Sequence, residues 1–189
     1  LSLSFLPNAI CFFRMALVVP VAWALAHAEY PLTVGLFAVA ALSDGLDGFL
    51  AKRFGWMSEL GKVLDPLADK LLLVTVFITL TAMGFVPAWL AVVAVARDVI
   101  IGAGALTYKV LFGPLEGKPT NASKLNTLCQ IFYVLAVIES VANGRLSALV
   151  LTVLGALVFV TTSISGLDYV LTYSRRAVDV SRARRAASV

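Results

Sequence analysis

Six apolar runs dominate this chain, at residues 9–27, 32–50, 67–84, 86–107, 125–141 and 146–173. A helix needs about 20 such residues to cross the hydrocarbon of a bilayer. Inside lipid, every backbone N–H and C=O must also find its partner within the protein. The runs therefore predict an all-α fold: a polytopic membrane protein with six transmembrane helices. Of the 189 residues 60% are apolar and 14% charged, against roughly 25% charged in an ordinary soluble domain. Little is left over for a separate soluble domain, so one membrane-embedded domain is expected over 1–189, with a basic tail at 174–189.

The basic residues predict the orientation. Lys52, Arg53 and Lys62 lie between the second and third runs, Lys109, Lys118 and Lys124 between the fourth and fifth, and Arg175, Arg176, Arg182, Arg184 and Arg185 after the sixth. Residues 28–31 and the connection at Phe85 carry no Lys or Arg, and Asn143-Gly144-Arg145 carries one. By the positive-inside rule both ends of the chain face the cytoplasm. The net charge of +4 then needs no nucleic acid to explain it; topology accounts for it, and the C-terminal arginines can in addition attract anionic headgroups. Cys11 and Cys129 fall within apolar runs with no partner at metal or redox spacing, which indicates neither a disulfide framework nor a thiol site. Asn121-Ala122-Ser123 fits a glycosylation sequon but is expected on the cytosolic side. The first run shows neither a charged n-region nor a small-residue cleavage site, and reads as a retained span. The loop-like stretch is 112–121, broken by Gly113, Pro114, Gly117 and Pro119.

Against this background the interval from Asp44 to Asp69 is anomalous, because Asp44, Asp47, Asp65 and Asp69 all fall inside or beside apolar runs. A carboxylate at the centre of a membrane helix costs ~2.5–3.5 kcal/mol, so four together would cost on the order of 10 kcal/mol uncompensated. Spacings of three and four place each pair on one helix face, and two helices could present both pairs to a shared cavity. Gly48, one turn beyond Asp44, removes a side chain from that face. The single histidine, His27, is expected at the opposite membrane surface, and no cysteine is near. All-oxygen ligation suits Mg²⁺, Mn²⁺ or Ca²⁺ rather than zinc, and a pair of such ions can clamp a phosphoryl displacement.

Two other readings compete with a metal site. Asp65-Pro66 fits a helix start with Asp as N-cap and Pro at N1, and Asp44 and Asp47 could pair with Lys52, Arg53 or Lys70. Intramembrane carboxylates also mark ion or proton-coupled transporters, although transporters gather charge near the midplane on broken helices in matching halves. Here the charges gather at one interface.

The pattern Asp44-x-x-Asp47-Gly48-x-x-Ala51-Lys52, eight residues, Gly61-x-x-x-Asp65-x-x-x-Asp69 resembles the signature of the CDP-alcohol phosphotransferases, membrane enzymes of phospholipid synthesis. One position departs: arginine is usual in the family where Lys52 stands, with Arg53 next to it. Leu6-Pro7-Asn8 and Arg14 are similar to the family's amino-terminal segment. Leu64-Asp65-Pro66-Leu67-Ala68-Asp69-Lys70 looks like the branch of phosphatidylglycerophosphate synthases and CMP-forming cardiolipin synthases. Arg97-Asp98-Val99 and the stretch 118–127 resemble the cardiolipin synthases more closely.

The resemblance implies an active site at the cytoplasmic (or matrix) side of a cell inner membrane or mitochondrial inner membrane. There Asp44, Asp47, Asp65 and Asp69 would hold Mg²⁺ or Mn²⁺, two ions, against the diphosphate of CDP-diacylglycerol. Asp69 would also be the catalytic base that takes the acceptor's proton as CMP leaves. Gly48, Ala51, Lys52, Arg53 and Gly61 would line the nucleotide site. The acceptor would be phosphatidylglycerol, or alternatively glycerol 3-phosphate, and the family's habit implies a homodimer. Arg97 and Lys124 are candidates for the acceptor's phosphate, since arginine clamps phosphate bidentately. Arg97 lies well inside the fourth run and so requires a partner. Asp98 is expected to be a poor one, because neighbours on a helix point about 100° apart.

Overall fold

The computed structural model describes the backbone of residues 6–54, 61–112 and 120–187, and the side chains of 9–43, 67–107 and 120–172. Among the described residues the structure is entirely helical, with α1 (Leu6–Ala26), α2 (Tyr30–Phe54), α3 (Gly61–Ala82), α4 (Ala88–Phe112), α5 (Asn121–Asn143) and α6 (Ala148–Ala187). Each apolar run has become a helix. Among the described residues four are long and apolar enough to cross a membrane, over Ala9–Ala26, Ala88–Thr107, Asn121–Asn143 and Ala148–Thr172. In α2 the apolar stretch within the described residues is Tyr30–Ser43, and Asp44 and Asp47 follow on the same helix. α6 runs 40 residues, so part of the expected basic tail continues the helix through Ala187.

One alternative reading of the sequence is corrected. α3 begins at Gly61, a turn ahead of Asp65, so Asp65 is not an N-cap and Pro66 is not at N1. Pro66 sits in the second turn, where its missing N–H removes one early bond of the ladder.

The ends of three helices show why the chain turns where it does. After α1, Glu29 N–H bonds Ala24 C=O at 2.9 Å and Ala28 N–H bonds Leu25 C=O at 3.0 Å, a Schellman closure around Ala28 at φ 59°. After α3 the same pair of bonds runs from Phe85 to Leu80 and from Gly84 to Thr81, both at 2.9 Å, around Gly84 at φ 82°. After α5, Gly144 N–H bonds Ser140 C=O at 2.9 Å. These are the connections with almost no Lys or Arg. At the starts, Thr120 Oγ1 accepts Ser123 N–H at 3.2 Å and Ser147 Oγ accepts Val150 N–H at 3.4 Å, which satisfies donors that would otherwise be orphaned.

The chain divides into two compact units. The first contains residues up to Pro87 together with Val134–Leu146. Within it α1 packs against both α2 and α3, through a stripe of Cys11, Arg14, Leu17, Val21 and Ala24 at helical spacing. α2 offers Thr33, Phe37 and Ala40, and α3 offers Ala68, Leu72, Val76 and Leu80. The outward faces are apolar as well, with Phe12, Phe13, Val19 and Trp23 exposed on α1. Helices apolar all round belong in lipid or a deep core.

The second unit is Ala88–Tyr133 with Ser147–Val189. Here α4 packs on α6, with Leu90, Ala94 and Arg97 buried on one helix and Val158, Thr162, Ser165 and Tyr169 on the other. Small residues let the two approach: a Cβ on Gly104 would stand 3.1 Å from the Tyr169 ring, and one on Gly166 would stand 3.7 Å from Arg97 Cγ. Hydroxyls on these apolar helices bond back to carbonyls four residues earlier, as in Thr79 to Thr75 and Thr152 to Ala148, so they are satisfied within their own helix.

Candidate active site

The signature is divided between two helices of the first unit. α2 carries Asp44, Asp47, Gly48, Ala51, Lys52 and Arg53; α3 opens on Gly61 and carries Asp65 and Asp69. At 100° per residue, Asp44 and Asp47 stand about 60° apart around α2, and Asp65 and Asp69 about 40° apart around α3. Each pair of positions therefore shares one side of its helix backbone. The side chains of Asp44, Asp47, Gly48, Ala51, Lys52, Arg53, Gly61 and Asp65 lie outside the described residues. Among the described residues no three His, Cys, Asp or Glu side chains form a metal-binding group.

Asp69 is described, and its surroundings are informative. Arg14 Nη1 donates to Asp69 Oδ1 at 2.6 Å, a charge-assisted contact that joins α1 to α3. The two partners are unequally placed: Arg14 is 1% exposed and Asp69 46% exposed. A buried cation thus reaches out to hold a carboxylate that remains open to its surroundings. The sequence reading named Arg14 but gave it no task. The signal was present, because an arginine inside an apolar run needs a partner wherever it lies.

In the second unit Arg97 is 5% exposed and holds together three helices. Nη1 bonds Asp98 Oδ1 at 2.6 Å, while Nη2 bonds Ser123 Oγ of α5 at 2.8 Å and Ser165 Oγ of α6. The expectation that Asp98 would be a poor partner is corrected. The directions of neighbouring Cβ atoms do diverge, but the flexible arginine stem lets the guanidinium swing back across that angle. Lys124 is exposed in the first turn of α5, next to Ser123, where the helix dipole is positive.

Below this lies a polar patch that the sequence reading did not single out. Asn126 Oδ1 accepts from Thr162 Oγ1 at 2.8 Å and from Thr161 Oγ1 at 3.0 Å, and Gln130 is buried one turn further along α5. The signal for it was Asn126 and Gln130 at i, i+4 in one apolar run, opposite the hydroxyl-rich 161–165 of another.

The model of the CDP-alcohol phosphatidyltransferase family matches residues 4–164. The chain belongs to the CDP-alcohol phosphatidyltransferase family. The match covers α1 to α5 and the first half of α6, and includes the whole Asp44 to Asp69 pattern. A human protein described as cardiolipin synthase (CMP-forming) is 30% identical over 93% of this chain and 63% of its own length. A Bacillus subtilis protein described as CDP-diacylglycerol--glycerol-3-phosphate 3-phosphatidyltransferase is 33% identical over 70% of this chain and 76% of its own length. A rice chloroplast protein of that same description is 32% identical over 89% of this chain and 56% of its own length. The chain thus spans a little under two thirds of the human relative and somewhat over half of the rice one.

Proposed function

We propose that this chain transfers a phosphatidyl group from CDP-diacylglycerol to an acceptor hydroxyl and releases CMP. The observation that carries the reading is the family signature on α2 and α3 with Asp69 held at its end by the buried Arg14. The acceptor oxygen forms a bond to the phosphorus bearing diacylglycerol as the bond to CMP breaks. Asp69, fixed through one carboxylate oxygen, accepts the acceptor's proton.

Asp44, Asp47, Asp65 and Asp69 are the residues that would hold two divalent ions, Mg²⁺ or Mn²⁺. The donor chemistry fits, since all four are hard carboxylate ligands and no His or Cys lies among them. Such ions, when bound, neutralise charge on the diphosphate and on the leaving group. Gly48, Ala51 and Gly61 leave room for the nucleotide beside the helices, and Lys52 or Arg53 supplies positive charge near it.

Phosphatidylglycerol is the proposed acceptor, which makes the reaction cardiolipin synthesis; the likeness to the human protein supports this. Glycerol 3-phosphate is the second reading, favoured by the Bacillus and rice relatives. Both carry a phosphate. Arg97 of α4, bonded to Ser123, and Lys124, at the positive end of α5, are proposed to face it. The remaining proposals are six membrane spans in one domain, an active site on the cytoplasmic or matrix face of an inner membrane, and a homodimer. The family match across α1 to α6 and the bias of Lys and Arg support the first two.

The test is to incubate the purified protein in lipid with CDP-diacylglycerol, Mg²⁺ or Mn²⁺, and each acceptor in turn, then identify the lipid by mass spectrometry. Cardiolipin from phosphatidylglycerol is expected. Phosphatidylglycerophosphate alone would replace the acceptor, and absence of CMP with every acceptor would remove the enzymatic reading.

A further inference from the structure

The buried amides of α5 leave hydrogen-bonding capacity unused. Asn126 is 0% exposed and Gln130 1%, yet Asn126 Nδ2 and Gln130 Oε1 have no partner among the described residues. The two residues are one helical turn apart, on one face, about one and a half and two and a half turns into α5. Within lipid an unsatisfied polar group costs several kcal/mol, so two on adjacent turns call for a shared partner.

We propose that Asn126 and Gln130 hold one internal water molecule. The water accepts from Asn126 Nδ2 and donates to Gln130 Oε1, and its second proton can go to a hydroxyl oxygen of Thr161 or Thr162, whose own protons go to Asn126 Oδ1 at 3.0 and 2.8 Å. An internal water needs two to four polar partners, and this patch provides them from α5 and α6. The chemistry also holds if an amide is reversed. Thr161 Oγ1 lies 2.8 Å from its own Leu157 C=O. Its one proton can go there, leaving the oxygen to accept from Asn126 Nδ2 instead. Two amide oxygens would then be left over, which cannot bond each other, whereas a water donates to both. A direct Asn126–Gln130 bond serves one orientation and a water serves either.

The site lies one turn beyond Ser123 on the same helix. The water therefore ties the α5 turn behind the Arg97 contact to α6. The inference stands on burial and hydrogen bonding, independently of the reaction proposed above.

The test uses the intact protein in a lipid mesophase or nanodisc, solved at a resolution that shows ordered water. A density peak within hydrogen-bonding distance of both side chains is expected; a direct amide-to-amide bond or a dry gap overturns the proposal. In NMR with ¹⁵N-labelled Asn and Gln side chains, the Asn126 amide should show magnetisation transfer from water at a long-lived internal site. Absence of that transfer in the native protein also overturns it. Gln130→Met should abolish the transfer and Gln130→Glu, which keeps an acceptor, should retain it. Persistence of the transfer in a folded Gln130→Met protein removes Gln130 from the site. If Gln130→Met does not fold, the two measurements on the native protein decide alone.

Discussion

Replacing Arg14 by Met should separate catalysis from stability. The side chain is 1% exposed and its Nη1 lies 2.6 Å from Asp69 Oδ1. A hydrogen bond to a charged group contributes about 1.5–3 kcal/mol, and the lower end applies here because Asp69 is 46% exposed and partly screened. Against that loss stands a larger gain, since an arginine in a membrane helix costs ~2.5–3.5 kcal/mol. Met fills much of the same volume and removes that cost. The gain exceeds the loss by about 1–2 kcal/mol, so the thermal midpoint in lipid should rise rather than fall. Activity has no such compensation. If holding Asp69 contributes about 1.5–3 kcal/mol to the transition state, its loss lowers turnover roughly tenfold to a hundredfold, at about 1.4 kcal/mol per factor of ten. CMP release at saturating substrates measures the first quantity and a thermal scan in nanodiscs the second. Arg14→Lys, which keeps a charge on a shorter donor set, should fall between. A folded Arg14→Met protein with native turnover would refute the reasoning, because Asp69 would then need no anchor.

Asp69→Asn should abolish turnover while leaving the midpoint within a few degrees of native; near-normal CMP release would sink the assignment of the base. Asp44→Asn or Asp47→Asn should raise the Mg²⁺ or Mn²⁺ concentration needed for half-maximal rate as well as lower the rate, and chelation of the native enzyme should stop CMP release until the ion is restored. Arg97→Lys should raise the acceptor KM more than the CDP-diacylglycerol KM, since one ammonium cannot serve Asp98, Ser123, Ser165 and a phosphate together; equal effects on both constants would argue for a purely structural role. Gly84→Ala should destabilise by about 1 kcal/mol, read as a lower midpoint. The added methyl meets nothing within 4 Å, so the whole effect comes from holding φ 82°.

The helices were legible in the sequence because lipid leaves the backbone so few options. Apolar runs of the right length predicted six elements, and the structure places a helix on every one. Their ends were less legible. Nothing in 28–31 announces that Ala28 adopts φ 59°, since alanine is not the residue usually found in a left-handed turn. The start of α3 was open for a different reason: Asp65-Pro66 satisfies the local chemistry of a helix start, and the extra turn from Gly61 is not announced by local residue preferences.

The same rule found one buried arginine and passed over another. Arg97 and Arg14 both sit in apolar runs, and for both the cost of insertion requires a partner. For Arg97 the sequence search weighed a neighbour on its own helix and dismissed it by direction alone. A guanidinium at the end of a long stem is not bound by the direction of its Cβ, and the structure puts it on Asp98. For Arg14 the partner lies 55 positions away, on another helix, and no periodicity within α1 could name it. Spacing along a helix thus identifies residues that share a face, whereas partners on different helices follow from how those helices pack. That limit explains why the Asp65 and Asp69 pair was visible from sequence while the cation that holds Asp69 was not. It also makes Arg14 the informative residue to change, because it touches the proposed base without belonging to the aspartate pattern itself.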